Sequence, residues 1–381
     1  MEQKRFKKAI SLETYLFLAG LIGIFSLLAS KMGVALMFKT MMATAHDLLL
    51  NTVFFLMAMS VLTGAISALL SEFGVIALIN KLAAPLMQPL WGMPGASITG
   101  VIATYLSDNP AIIPLAKDAQ FTRYFKKYQV PALCNLGTAF GMGLLVTVFM
   151  MGQGGSDFFK AALIGNLAAI IGSIVSVRLM LVQTKRYYGD AAFEPFNATN
   201  SDTQTPSDMR EIRDGNAAQR ILDAILEGGK VGVDMGLAII PGVITVCTLV
   251  MMFTFKMPAG GYTGGAYEGI ALLPWIGEKL SFIIEPLFGF QSPEAIAFPV
   301  TALGAVGGAM SLVPEFVKNG LVTANDIAVF TAMGMCWSGY LSTHIGMMDA
   351  LGVRKLASKA ILSHTVGGFI AGTVAHLLMS L

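Results

Sequence analysis

Apolar runs of about one bilayer thickness recur along the whole chain, and no other feature restricts its fold as much. They fall at residues 12–30, 46–71, 130–151, 158–182, 232–255, 324–350 and 360–380. Each is near the roughly 20 residues that a helix needs to cross a hydrocarbon core. Lipid offers backbone amides no partner, so such runs must be helical. The composition agrees: 55% of the 381 residues are hydrophobic and only 13% charged, too little charge to cover a soluble surface of this size. The expected fold class is all-α, a polytopic membrane protein.

Two further apolar stretches are interrupted. Residues 75–115 contain Pro85, Pro89, Pro94, Gly95 and then Ser107-Asp108-Asn109-Pro110; residues 270–313 contain Pro274, Pro286, Ser292-Pro293-Glu294 and Pro299. Each is too long for one straight helix and too punctuated for two full ones. Proline and glycine at this density end helices, which membrane proteins tolerate where the backbone is buried or faces water. Both stretches are predicted to dip into the membrane and return as re-entrant hairpins.

Charge sets the orientation. Met1 to Lys8 is strongly basic and leads into the first apolar run without a small-residue cleavage site, which predicts a retained helix and a cytoplasmic N-terminus. Counting crossings from inside places Arg123, Lys126 and Lys127, then Lys185 and Arg186, then Arg354, Lys355 and Lys359 on the cytoplasmic face. That is the distribution of a multi-pass inner (plasma) membrane protein. The net charge of +2 therefore concerns orientation, and no nucleic-acid partner is expected; the partners expected are the lipid bilayer and a small-molecule solute. Cys134, Cys247 and Cys336 lie in three separate apolar segments, as free thiols would.

The same parity makes the first helix–hairpin–helix unit enter from outside and the second from inside, an inverted-topology repeat. Pro89-Leu90-Trp91-Gly92 and Pro286-Leu287-Phe288-Gly289 lie 197 residues apart, and the offset continues into Ser97 and Glu294. The chain divides into an N-terminal basic segment and first helix (1–45), a first repeat with a connecting helix (46–182), a cytoplasmic polar linker (183–222), a second, inverted repeat (223–350) and a C-terminal helix (351–381). Asn197-Ala198-Thr199 in the linker matches a glycosylation acceptor, a chance match in a cytoplasmic segment.

Polar residues inside the breaks are the site candidates. Ser107, Asp108 and Asn109 offer a hydroxyl, a carboxylate and an amide beside free backbone groups, and Ser292 and Glu294 do the same in the second half. Charge at membrane depth is costly and usually faces a cavity or a substrate, although Asp108 and Ser292 also suit simple N-caps. Asn135 and Thr138 share one helix face, and His344 follows Trp337 and Tyr340 in the corresponding helix of the second half; these three are added as solute-binding candidates, with helix–helix packing as the competing role. His364 and His376 stand alone and no spacing suits a metal. The glycines at 260–261 and 264–265 lack the strand and helix of a phosphate loop. No nucleophile–base spacing points to an enzyme, and no resident cofactor is expected.

The stretches Pro89-Leu-Trp-Gly-Met-Pro-Gly-Ala-Ser and Pro286-Leu-Phe-Gly-Phe-Gln-Ser-Pro-Glu resemble the Gate, or nucleoside-recognition, membrane domain, in its YjiH-type form, over roughly residues 45–350. Gate domains also occur in concentrative nucleoside transporters, ferrous-iron transporters of the FeoB type and sporulation-maturation membrane proteins. The resemblance implies two oppositely oriented hairpins with acidic and amide residues at their tips, here Asp108, Asn109, Ser292 and Glu294. It implies transport of a small polar solute such as a nucleoside, coupling to Na⁺ or H⁺, and a homo-oligomer. The longer base- and ribose-binding motifs of the nucleoside transporters are absent. The alternative is a non-transporting membrane scaffold or accessory protein, which predicts a dry, closed interface between the hairpins.

Overall fold

A computed structural model describes residues 8–196 and 212–381. The basic residues 1–7 and the part of the linker that holds Asn197 lie outside the described residues. The chain is all-α, a polytopic membrane protein in which six helices among the described residues are long and apolar enough to cross a bilayer.

Helix α1 (Leu12–Met32) is apolar on every side, and only 6% of its most apolar window is buried. An all-round apolar helix that the protein does not bury must be buried by lipid. The next helix, α2 (Val34–Glu72), runs 39 residues and contains a π-helical stretch at Leu48–Val53. After it come α3 (Val75–Trp91), α4 (Ser97–Leu106) and, beyond a turn at Asn109–Ala111, α5 (Ile112–Lys117). Residues 132–151, expected as one crossing, form α6 (Ala132–Thr138) and α7 (Gly143–Met151). The interruption is conformational: Met142 sits at φ 55°, where a helix cannot continue. Buried side chains make up 89% of this window, so α6 and α7 form the centre of the bundle. Helix α8 (Ser156–Tyr188) closes the first half.

The second half begins with α9 (Ala217–Thr254), which carries a π-helical stretch at Val243–Cys247. Then follow α10 (Leu272–Lys279), α11 (Ser281–Phe288), a turn at Pro293–Ile296, α12 (Ala297–Ala302) and α13 (Val306–Lys318). The expected crossing 324–350 is split into α14 (Ala324–Cys336) and α15 (Tyr340–Ala350), because Gly339 takes φ 63°. Helix α16 (Ala357–Met379) ends the fold.

Glycine faces set the close packing. A Cβ on Gly172 of α8 would stand 2.5 Å from the Gly367 carbonyl oxygen of α16, and one on Gly367 would stand 2.6 Å from Ser176 Cβ. Lipid gives helices no hydrophobic reason to pair, so such close backbone approach is what holds them. Helices α2 and α9 cross in the same manner through Gly64 and Gly228. At one end of that pair, the buried Glu72 accepts from Arg213 Nη1 (2.7 Å) and Arg220 Nε (2.6 Å). The three cysteines are free and buried.

The glycine-rich loop before α10 has a structural job. Glu268, 4% exposed, accepts the backbone N–H groups of Thr263, Gly264 and Gly265 and the Thr263 hydroxyl. The loop thus cradles a carboxylate of its own chain.

Candidate functional site

The chain leaves helical geometry at four places that converge. In the first half, Ser107 and Asp108 separate α4 from the Asn109–Lys117 segment, and residues 139–142 separate α6 from α7. In the second, Gly304 and Ala305 separate α12 from α13, and residues 337–339 separate α14 from α15. Asn109 joins three of the chain segments involved: its amide donates to the Ser338 carbonyl oxygen, and its Oδ1 lies against Gly141, a position only glycine can fill there. Gly339 N–H donates to the Ala302 carbonyl at 2.9 Å, which ties the break in the last crossing to the end of α12.

A cavity of about 160 Å³ opens where these breaks meet. Asp108, Asn109, Gly304 to Gly307, Met142, Ser338, Gly339 and Thr343 line it. Helix α9 adds a wall through Ala238, Ile239 and Gly242, just before its π-helical stretch. Asp108 Oδ1 accepts the Asn109 N–H at 2.7 Å and so caps the segment that follows. Asn109 is 1% exposed and its Oδ1 has no partner among the described residues. A buried amide oxygen left unpaired costs about 1–3 kcal/mol; this one packs against Gly141, inside the protein rather than toward the cavity.

The remaining candidates are distributed differently. Ser107 adjoins the cavity in sequence without lining it. Asn135, Thr138 and His344 are fully buried outside the lining. Thr138 donates to Cys134 O of its own helix (2.8 Å). Asn135 Nδ2 donates to Ser176 Oγ and to Ala360 O, both at 3.0 Å. Ser176 Oγ lies 2.8 Å from His364 Nδ1, and His364 Nε2 bonds the Cys336 carbonyl oxygen at the edge of the last break. The Cys336 carbonyl can only accept, so Nε2 carries the hydrogen, and in the neutral ring Nδ1 accepts from the Ser176 hydroxyl. His364, expected to stand alone, thus has its ring 4.8 Å from that of His344, because α15 folds back against α16. His344 Nδ1 lies 3.1 Å from Tyr340 O.

Ser292 and Glu294 are bonded to each other and do not meet Asp108 and Asn109. Ser292 lines a separate cavity of about 220 Å³ with Glu278, Glu285 and Gln291. Glu294 precedes Ala305 by eleven residues of largely helical chain, roughly 16 Å at 1.5 Å per residue. The break that shares a cavity with Asp108 is Gly304–Ala305, which carries no polar side chain. Ser338, Thr343, Met142 and Gly304 to Gly307 line the cavity without being among the candidates named from sequence. One signal was present: the 197-residue offset that pairs Gly92 with Gly289 also carries Asp108 to Ala305 and Met142 to Gly339.

No family model and no curated protein matches the chain. Solved structures do. A structure of CNTnw in an inward-facing, substrate-bound state is similar with a TM-score of 0.53 at 14% identity, over 96% of this chain and 85% of that one. A CNTnw variant in an intermediate state is similar with a TM-score of 0.50 at 16% identity, over 97% and 85%. At these identities the shared property is the fold, carried over nearly the full length of both chains.

Proposed function

We propose that this protein is a secondary transporter of a small polar solute, which binds between the tips of two re-entrant hairpins. The tips are the breaks at 107–109 and 304–306. The observation that carries the reading is the cavity at their meeting point, with Asp108, Asn109, Ser338 and Thr343 in its lining. A scaffold would have no use for a polar void between four helix breaks. Similarity to CNTnw, a concentrative nucleoside transporter, adds a fold in which alternating access has been captured as inward-facing and intermediate states. Nucleosides and related metabolites are accordingly the first assay compounds, and the Gate resemblance of the Pro-Leu-aromatic-Gly stretches points the same way.

Two related halves account for the recurrence of rare backbone states. The π-helical stretches start at Leu48 and Val243; Gly92 and Gly289 take φ 72° and 67°; Asp108 and Ala305 are extended N-caps; Met142 and Gly339 take φ 55° and 63°. All four pairs lie 195–197 residues apart. Crossing parity makes the halves inverted, which suits rocking of one bundle against the other about a fixed site. Coupling to Na⁺ or H⁺ would use Asp108 and Asn109, whose oxygen donors suit a hard cation. Asn135, Thr138 and His344 then support the breaks from behind, while Ser292 and Glu294 serve at the base of the second hairpin.

Uptake into proteoliposomes, screened with nucleosides, bases and organic acids under Na⁺ and H⁺ gradients, tests the reading. Solute accumulation above empty vesicles that falls in Asp108→Ala is expected. Absence of uptake for every compound and gradient, in protein that retains its fold, sinks it.

A further inference from the structure

The end of α8 and the loop that leads from α5 to α6 build one surface of cations and aromatic rings. The chain beyond α8 returns across that loop. Phe196 N–H donates to the Phe125 carbonyl oxygen and Lys127 N–H to the Glu194 carbonyl oxygen, both at 3.0 Å. Lys126 Nζ thereby stands 5.1 Å from the centre of the Phe193 ring, and Lys185 Nζ stands 4.9 Å from that of Tyr128. The two rings meet edge to face at 6.0 Å. Several aromatic side chains here are open to the surroundings: Phe193 is 63% exposed, Tyr124 54% and Tyr187 49%. Of the cations, Lys127 is paired with Glu194. Lys126, Lys185 and Arg186 are exposed and form no ion pair among the described residues.

Depth in the bilayer decides what meets this surface. The apolar run of α8 ends at Val182. Lys185 and Arg186 follow in its last turn, about 4.5 and 6 Å further along the axis at 1.5 Å per residue. The headgroup layer is roughly 5–8 Å deep on each side of the hydrocarbon core, so both cations lie at the level of lipid phosphates. Exposed aromatic rings are favoured at that same level, where one side is apolar and the other wet. We infer that this surface binds the headgroups of anionic phospholipids. Lys126, Lys185 and Arg186 supply the charge that attracts them, and Phe193, Tyr124 and Tyr187 seat the surface in the interface. Each cation near an anionic membrane surface strengthens attachment about fivefold. The loop also reaches the first hairpin, because Gln129 Nε2 donates to the Gly92 carbonyl oxygen at the end of α3 (2.9 Å). A headgroup held here therefore stabilises the folded protein. None of this depends on which solute is carried.

The test titrates the full-length protein in neutral detergent with phosphatidylglycerol and with phosphatidylcholine of the same acyl chains. The unfolding midpoint and the lipid retained in native mass spectrometry are both read. Wild type is expected to bind phosphatidylglycerol at least tenfold tighter than phosphatidylcholine, a comparison that needs no variant. The triple change Lys126→Gln, Lys185→Gln, Arg186→Gln should remove most of that preference and leave phosphatidylcholine binding unchanged. A matching triple change at Lys31, Lys256 and Lys279, exposed lysines outside this surface, should keep it. Equal binding of the two lipids overturns the inference. So does a preference that survives the first triple change, or an equal midpoint rise with inorganic phosphate alone, which would mark a phosphate site rather than a lipid one.

Discussion

Gly172→Ala should loosen the crossing of α8 and α16 and, through it, the candidate site. The new methyl group would stand 2.5 Å from the Gly367 carbonyl oxygen and 2.6 Å from Ala371 Cβ, where ordinary contact begins at 3.4 Å. One neighbour is backbone, so rotamer changes cannot relieve the clash and the helices must part by about 0.9 Å (3.4 − 2.5). A radial gap of that size forfeits a quarter to a half of each dispersion well of about 0.1–0.2 kcal/mol, so some tens of atom pairs lose about 1.5–3 kcal/mol together. Alanine's better helix propensity returns about 0.5–1 kcal/mol, leaving a net loss of about 1–2 kcal/mol. Gly20 and Gly23 of α1 provide the control, since a Cβ there meets nothing within 4 Å; alanine at either should be neutral or slightly stabilising. Reversible unfolding in bicelles or nanodiscs, read as the midpoint shift, measures the difference. If Gly172→Ala were as stable as Gly20→Ala, close backbone packing would not be what holds this pair.

Other consequences can be measured separately. Asn109→Ala removes the tie that holds the Ser338 carbonyl at the cavity; solute uptake should fall at least tenfold with expression unchanged, and unaltered uptake would place the solute elsewhere. His364→Phe removes the ring that bonds the Ser176 hydroxyl and the Cys336 carbonyl, a loss of about 2–3 kcal/mol visible in the unfolding midpoint. For Glu268, burial raises the carboxyl, but hydrogen bonds from Thr263, Gly265 and Gly264 outweigh it and hold the group below its ordinary 4.5. A depressed folded value stabilises fully above the unfolded one and is lost as pH falls through the folded value. The midpoint of wild type should therefore drop more than that of Glu268→Gln below about pH 4.5; parallel curves would refute the assignment.

What could be read from sequence divides along physical lines. Membrane crossings were legible because each needs about 20 apolar residues in a row, and α1, α2, α8, α9 and α16 appear where those runs lie. The breaks inside residues 130–151 and 324–350 were not, because hydropathy is blind to φ: Met142 and Gly339 are as apolar or as small as their neighbours. His364 was missed as a partner of His344 because the contact joins two helices across a turn at 351–356.

The second break went unnamed for a more instructive reason. Polar residues in an apolar stretch draw attention only to side chains. Asp108 and Asn109 have them, and both line the cavity. Gly304, Ala305, Val306 and Gly307 line it too, and none has a polar side chain. Ser292 and Glu294 were the nearest polar residues and drew the assignment, although counting 197 residues from Asp108 leads to Ala305. Small residues there keep the cavity open, whereas a larger side chain would fill it and a capping Ser or Asp would occupy the N–H groups at the start of α13. On this reasoning Ala305→Asp should cap α13 from within, raise the ligand-free unfolding midpoint and abolish solute binding. A midpoint that rises while binding persists would mean that α13 makes no contact with the solute.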